Sequence, residues 1–313
     1  MSFALALHGG AGTIAPGSAA DEARYREALL EALAVGHAKL ASGASALDAV
    51  IATVVSLEDC PLFNAGYGSV FTADGRHELD AGLMDGSSLA AGAVAGVRTI
   101  RNPIRAALKV MRDGRSVILG GDGAEKLARE HGLEIVEPSY FSTPQRMTQL
   151  RAVQAAAANR AMLDHDAAAI DSSSQRIGTV GAVARDREGH LAAATSTGGL
   201  TNKMPGRIGD TSIIGAGVYA NDATCAVSST GTGEHFIRAC IAYDVHARMR
   251  YLGRDVARAA RESISESLQP IGGRGGVIAV GRDGQIAMPF NSPGMYRAWV
   301  VEGDAPRAAI FAE

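Results

Sequence analysis

At 313 residues the chain is long enough for one large domain or two small ones with a substantial core. Its 30 basic and 33 acidic residues leave a net charge of −3, which gives no footing for nucleic acid or an anionic membrane surface. No apolar run approaches the roughly 20 residues of a membrane span, and no basic segment followed by an apolar one opens the chain, so a soluble, cytoplasmic protein is expected. Cys60, Cys225 and Cys240 are odd in number and widely spaced, which points to buried thiols rather than a disulfide frame or a zinc site. Glycine is in excess, 38 residues against 10 prolines, and clusters in short loops, so the chain needs many tight backbone passages.

In chain order, Phe3 to Leu7 reads as a short apolar strand, with His8-Gly9-Gly10-Ala11-Gly12 as a flexible turn at its end. Two core-facing helices follow, one from about Asp21 to Leu40 and one capped by Ser45 and stopped by Pro61. Past the glycine turn Asn64 to Ser69, Val70-Phe71-Thr72 and His77 to Asp80 flank an Asp74-Gly75 pair as a hairpin. The small-residue run Ala90 to Val97 predicts a buried strand closely pressed by a neighbour. Helices are predicted over Pro103–Met111, over Ala124–Glu130, and from Thr143-Pro144 through the alanines 155–158.

Asp164 to Gln175 is polar, short-sided and without strand period, and reads as an exposed, mobile linker. After it the chain becomes strand-rich. Val180–Arg185 and His190–Thr195 form a hairpin that places Thr179 at the start of a central strand. Gly215–Ala220 and Ala223–Ser228 read as strands, Glu234 to about Met249 and Val256 to Leu268 as helices, Gly276–Val280 and Gln285–Pro289 as a closing hairpin, and Met295–Trp299 as an edge strand. With recurring hairpins and no dominant βαβ alternation, the fold class is α+β, antiparallel sheets covered by helices.

The chemistry centres on Gly178-Thr179. A threonine hydroxyl can reach the carbonyl of the glycine before it. If that bond breaks, Thr179 keeps a hydroxyl and a free α-amine, whose ordinary pKa of roughly 7.7–8.0 suits a general base near neutrality. The bland alternative is a strand start after a loop. Thr197, in Thr195-Ser196-Thr197-Gly198-Gly199, ends the partner strand and is placed to hydrogen-bond the nucleophile. Arg207 and Asp210 are three apart and match the carboxylate and ammonium of an amino acid, or else make a surface ion pair. Thr230-Gly231-Thr232-Gly233 precedes a helix and suits an oxyanion or a phosphate, but no lysine completes a phosphate-loop spacing. His8 is read as structural.

Taken together, these segments resemble the plant-type asparaginase/isoaspartyl peptidase family of N-terminal nucleophile (Ntn) hydrolases. The resemblance runs over almost the whole chain: His8 to Gly12, Leu57 to Gly66, Glu78 to Ala81, Met84-Asp85-Gly86, Gly178 to Val183, Thr195 to Gly199, Pro205 to Asp210 and Thr230 to Glu234. It implies a four-layer αββα sandwich in one domain, 1–313, made as a precursor that cuts itself between Gly178 and Thr179. An α chain 1–178, with a linker over about 160–178, and a β chain 179–313 would result, assembled as an (αβ)2 dimer of such pairs.

The resemblance also implies roles: Thr179 as nucleophile and base, Thr197 as its support, Thr230 and Gly231 as the oxyanion hole, and Asn64 approaching from the α chain. Arg207 is implied to hold the substrate α-carboxylate and Asp210 its α-ammonium, with Gly231 and Gly233 lining the substrate site. It implies no organic cofactor, but a structural sodium ion on the backbone carbonyls of Leu57, Glu58, Cys60, Phe63, Ala65 and Tyr67. Tyr67 stands where the family often has a smaller or aliphatic residue, a change bearing on either the pocket mouth or that loop. The implied activity is hydrolysis of β-aspartyl dipeptides and L-asparagine to L-aspartate. Alternatives are a glycosylasparaginase-type amidase, which the absence of a secretory segment and the Arg207–Asp210 loop disfavour, and a non-cleaving amino-acid-binding protein.

Overall fold

The computed structural model describes residues 2–12, 19–163 and 178–312. The predicted linker lies outside the described residues. Strand β1 (Ala4–Ala11) leads into helices α1 (Ala19–Ala41) and α2 (Ala46–Glu58), then β2 (Leu79–Asp85) and β3 (Ala91–Val97). Helix α3 (Pro103–Asp113), the short β4 (Ile118–Gly120), α4 (Gly121–Glu130) and α5 (Pro144–Leu163) complete the first half. The second half holds β5 (Val180–Arg185), β6 (Leu191–Thr197), β7 (Val218–Ala220), β8 (Cys225–Gly231), α6 (Gly233–Ala239), α7 (Ile241–Leu252), α8 (Val256–Glu262), β9 (Gly275–Gly281), β10 (Ile286–Ala287), β11 (Gly294–Val301) and β12 (Arg307–Phe311).

The strands form two sheets, in the orders β12-β11-β1-β5-β6-β2-β3-β4 and β10-β9-β8-β7, and only the β3–β4 pairing is parallel among them. Period-two alternation divides each strand between two cores. On β1, Leu5 and Leu7 pack with Leu29, Leu33, Val50 and Val54 of α1 and α2, while Ala4 and Ala6 join Val183, Ala193, Val218, Ile278 and Val280 between the sheets. Val227, Val277 and Ala279, on the opposite face of the small sheet, meet Phe236, Val245, Ala259 and Leu268 of the second helical group. Each fully buried leucine contributes on the order of 1.5–3 kcal/mol relative to exposure. Alanine on the facing sides lets the two sheets approach closely.

Most predicted elements are present, with physical reasons for the exceptions. His8-Gly9-Gly10-Ala11 is not a flexible turn but the continuation of β1, paired with β11 across a register shift between His8 and Gly10. Gly9 is required there, since a Cβ would lie 2.4 Å from the Phe63 ring. Residues 70–80 make no hairpin: Thr72 and Arg76 close a turn, but β2 pairs with β3 and β6. Helix α2 ends at Glu58, before Pro61, and its Ser45 cap accepts from the Asp48 N–H as expected. The helix predicted over Glu234–Met249 breaks at Cys240, whose φ of 48° turns its N–H back onto Phe236 and Ile237. Beyond α8 the predicted helix continues as a π-turn over Ser263–Leu268. β11 is not an edge strand, because β12 covers it. Of the three thiols only Cys225 is buried; Cys60 is half-buried and Cys240 exposed. No described helix is long and apolar enough to cross a membrane.

Candidate active site

Thr179 stands at the head of β5, between β1 and β6 in the large sheet. The β5–β6 register pairs Val180 with Ser196, which brings the next residues, Thr179 and Thr197, side by side. The Thr179 hydroxyl donates to Thr197 Oγ1 at 3.2 Å, and the Gly199 N–H donates to the same oxygen at 3.0 Å. Thr179 is 7% exposed, so this hydroxyl is largely withdrawn from bulk water.

A polar knot fixes Thr179 from below. His8, opposite Gly181 on β1, has Nδ1 2.8 Å from the Thr179 carbonyl oxygen and Nε2 2.8 Å from Ser228 Oγ. Burial pushes the His8 pKa down to about 3, so the ring is neutral. A carbonyl only accepts, so Nδ1 carries the proton and Nε2 accepts from the Ser228 hydroxyl. Ser228 Oγ in turn lies 2.7 Å from Thr195 Oγ1, which ties β8 of the small sheet to β6 of the large one. Gly181 makes room for the knot: a Cβ there would meet Ser228 Oγ at 2.0 Å and His8 Nε2 at 2.6 Å. His8 is therefore structural in the sense that it holds the Thr179 backbone. The hydroxyl pair Thr195/Ser228 and the close approach at Gly181 were not legible in the sequence.

Asn64 comes from the loop after α2. Its Nδ2 donates to the Gly199 carbonyl at 2.7 Å, its Oδ1 accepts from the Val70 N–H at 2.9 Å, and its own carbonyl accepts from the Gly198 N–H at 3.0 Å. A Cβ on Gly178 would be 3.2 Å from Asn64 Cβ, so Asn64 lies against the peptide that precedes Thr179.

Arg207 and Asp210 sit in the irregular loop that follows β6. Asp210 is 4% exposed, and its Oδ2 is fully buried with no hydrogen-bond partner among the described residues. Burial pushes its pKa up to about 7, against the pull of its own backbone N–H and of Arg207. Arg207 uses its Nε edge on Glu234 Oε1 at 2.8 Å, so the ion pair weighed from sequence exists, though with Glu234 rather than Asp210. The guanidinium also borders two glycines, by Nη2, which Glu234 shares, and by Nη1. A Cβ on Gly233 would lie 2.8 Å from Asp210 Oδ1 and 3.0 Å from Arg207 Nη2, and one on Gly199 would lie 3.4 Å from Arg207 Nη1. Gly199 thus joins the clamp to Thr197. Thr230 and Gly231 end β8, and the stretch leads directly into α6 at Gly233 as expected, though as a strand end rather than a turn; the Thr230 hydroxyl accepts from the Ala11 N–H at 3.0 Å.

In the loop from Leu57 to Gly68, the Glu58, Pro61 and Phe63 carbonyls crowd two glycines. Gly66 and Gly68 have φ of 50° and 102°; a Cβ on the first would lie 2.4 Å from the Glu58 oxygen, and one on the second 2.5 Å and 2.8 Å from those of Pro61 and Phe63. The Tyr67 N–H donates to the Glu58 carbonyl at 2.7 Å, and its ring packs 5.5 Å from that of Tyr140, so Tyr67 backs onto the 138–141 turn.

The Thr179 hydroxyl thus sits on Thr197, and Gly199 borders both Thr197 and Arg207; the chain belongs to the asparaginase family, whose model, described as "Asparaginase", matches residues 1–310. Among its relatives, it is 53% identical over 311 residues to "Isoaspartyl peptidase" of Salmonella typhimurium, covering 99% of this chain and 98% of that one. It is 52% identical to "Isoaspartyl peptidase" of Escherichia coli, covering 99% and 96%, and 41% identical to "Probable isoaspartyl peptidase/L-asparaginase 2" of Arabidopsis thaliana, covering 99% of each.

Proposed function

We infer that the chain is a self-processing threonine amidohydrolase that releases L-aspartate from β-aspartyl dipeptides and from L-asparagine. Its relatives' names and its full-length family match support this substrate class. The observation that carries the site is the Thr179 hydroxyl held on Thr197, with Gly199 between Thr197 and Arg207 and a buried, unpartnered Asp210 oxygen three residues on.

In maturation the Thr179 hydroxyl adds to the Gly178 carbonyl carbon, the C–N bond breaks, and the nitrogen takes the hydroxyl proton to become the free α-amine. Water then hydrolyses the ester and leaves Gly178 as a carboxylate. In turnover that amine takes the hydroxyl proton as the oxygen attacks the substrate side-chain carbonyl. The leaving amine or ammonia is protonated, and water releases aspartate from the acyl ester. Arg207 takes the α-carboxylate by the part of its guanidinium that Glu234 leaves open, and the Asp210 carboxylate takes the α-ammonium, with Gly233 as the lining that leaves Asp210 Oδ1 uncovered by a side chain. The Thr230–Gly231 strand end supplies the oxyanion donors, each typically contributing about 3 kcal/mol.

Mature α and β chains share one four-layer αββα domain, and the functional unit is an (αβ)2 dimer in the cytoplasm. A structural sodium ion would sit on the backbone carbonyls of Leu57, Glu58, Cys60, Phe63, Ala65 and Tyr67; the space that glycine at 66 and 68 leaves beside the Glu58 and Phe63 oxygens supports a hard cation there. When bound, that ion would stiffen the loop carrying Asn64.

The pH profile tests the reading. A carboxyl whose charged form is disfavoured by burial keeps its proton to about pH 7, and only the ionised form pairs with an ammonium. The Thr179 amine must also lose its proton, near roughly 7.7–8.0. Thus kcat/KM for a β-aspartyl dipeptide should rise across neutrality with a two-proton acid limb. A profile already flat at pH 6 would contradict the roles of both groups.

A further inference from the structure

The loop over 202–217 that carries Arg207 and Asp210 has no helix or strand of its own, so something else sets its position. Its seat is Glu78–Asp80, at the start of β2. Lys203 Nζ donates to the Glu78 carbonyl at 2.7 Å, and the Gly206 N–H donates to Glu78 Oε2 at 2.8 Å. Asp80, opposite Thr197 in the β2–β6 register, accepts from the Gly96 N–H at 2.8 Å, while its Oδ2 is buried without a hydrogen bond of good geometry. Lys203 is 4% exposed and Asp80 is wholly buried, unusual for both residue types.

The charges explain why they coexist. Burial pushes the Asp80 pKa up; Lys203, the N–H groups of Gly96 and Gly209, and Arg207 pull it back, in that order. Burial likewise lowers the Lys203 pKa, and Asp80 is the first influence opposing it. Lys203 Nζ and Arg207 Nη1 both converge on Gly199, at 3.0 Å and 3.4 Å from where its Cβ would be. Arg207 is paired with Glu234, so Asp80 is the buried carboxylate left to balance Lys203 beside the turn whose N–H holds Thr197.

We propose that Asp80 and Lys203 are positioning residues: two buried, oppositely charged side chains, not in direct ion-pair contact, that together seat the Lys203–Asp210 loop on β2, Lys203 through the Glu78 carbonyl and Asp80 opposite Thr197, and so fix the substrate clamp relative to Thr197. The proposal rests on Arg207 and Asp210 being the clamp. Neither residue touches substrate; each acts through the loop.

The test is a double-mutant cycle on the self-cleaved enzyme with a β-aspartyl dipeptide: Asp80→Asn, Lys203→Met and both together, reading KM, kcat, Tm and completeness of cleavage. Each single variant leaves one buried charge unbalanced and should raise KM by roughly tenfold or more with a smaller change in kcat. The double variant removes both charges, and its KM should lie well below the product of the two single effects. Should Lys203→Met fail to mature, Lys203→Gln keeps a donor for the Glu78 carbonyl, loses only the charge, and carries the same expectation. Single variants with lowered Tm but unchanged KM, or KM effects that simply multiply in the double, would overturn the proposal. A folded wild type inert on the dipeptide would instead remove the clamp reading itself, and the couple's role with it.

Discussion

Thr179→Ala is expected to persist as one uncut chain and to lose β-aspartyl dipeptide hydrolysis by a factor on the order of 10⁶, the scale of removing a catalytic nucleophile. Both losses have the same origin: the hydroxyl that adds to the Gly178 carbonyl is the one that later attacks substrate, and Thr197 accepts its proton side in the uncut chain at 3.2 Å. Removing it leaves the rest of the knot standing, because His8 holds the backbone carbonyl of residue 179 rather than its side chain. The variant should therefore fold with a Tm within a few degrees of the precursor. Denaturing electrophoresis and initial rates check it. A Thr179→Ala protein that still cuts itself, or turns over, would place the nucleophile elsewhere.

Arg207→Ala should separate maturation from binding. Self-cleavage involves no free carboxylate, so the variant is expected to cut itself before Thr179 to completion. Its kcat/KM for the dipeptide should fall by about 10²–10³, most of it in KM, since a charge-assisted contact to the α-carboxylate is lost and Glu234 is left unpaired at the clamp. Intact-mass measurement beside steady-state kinetics reads both. Failure to mature would show instead that the guanidinium holds the loop together. A kcat/KM near that of wild type would remove Arg207 from substrate recognition.

What was legible in the sequence was mainly local. The Ser45 cap, the strand on either side of Asp186–Gly189 and the close-packed run at Ala91–Val97 rest on short-range chemistry, and the structure has them. Gly92 shows why that run needs small residues: a Cβ there would lie 2.2 Å from the Ala107 carbonyl of α3. The Thr179/Thr197 proximity was also readable, because a hairpin's register fixes which hydroxyls meet across its ladder. Long-range pairing was not. Nothing in residues 8–12 says that a strand 280 residues later will pair with them, so glycines that carry β1 past Phe63 read as a loose turn. Likewise β12 and its cover over β11 leave no strong mark in Arg307 to Phe311. Buried polar groups were least visible of all: His8, Ser228, Asp80 and Lys203 are ordinary polar residues in the sequence, and their meaning comes from the partners that the two sheets bring to them.

Clefts lie elsewhere among the described residues. One of about 890 Å³ is lined by Arg258, Arg261, Phe290, Arg297 and Trp299, and another of about 630 Å³ by Phe71, His77, Arg98 and Ser142. The candidate site is a buried knot, with Gly178 lying against Asn64.

Intact-mass spectrometry of the purified wild-type protein under denaturing conditions tests this account most directly. Two fragments are predicted, one beginning at Thr179 and ending at Glu313 and the other ending at Gly178, with the masses of an unmodified threonine amine and a glycine carboxylate at the break. A single full-length chain that nevertheless hydrolyses a β-aspartyl dipeptide, or a break at any other bond beside that activity, would contradict it.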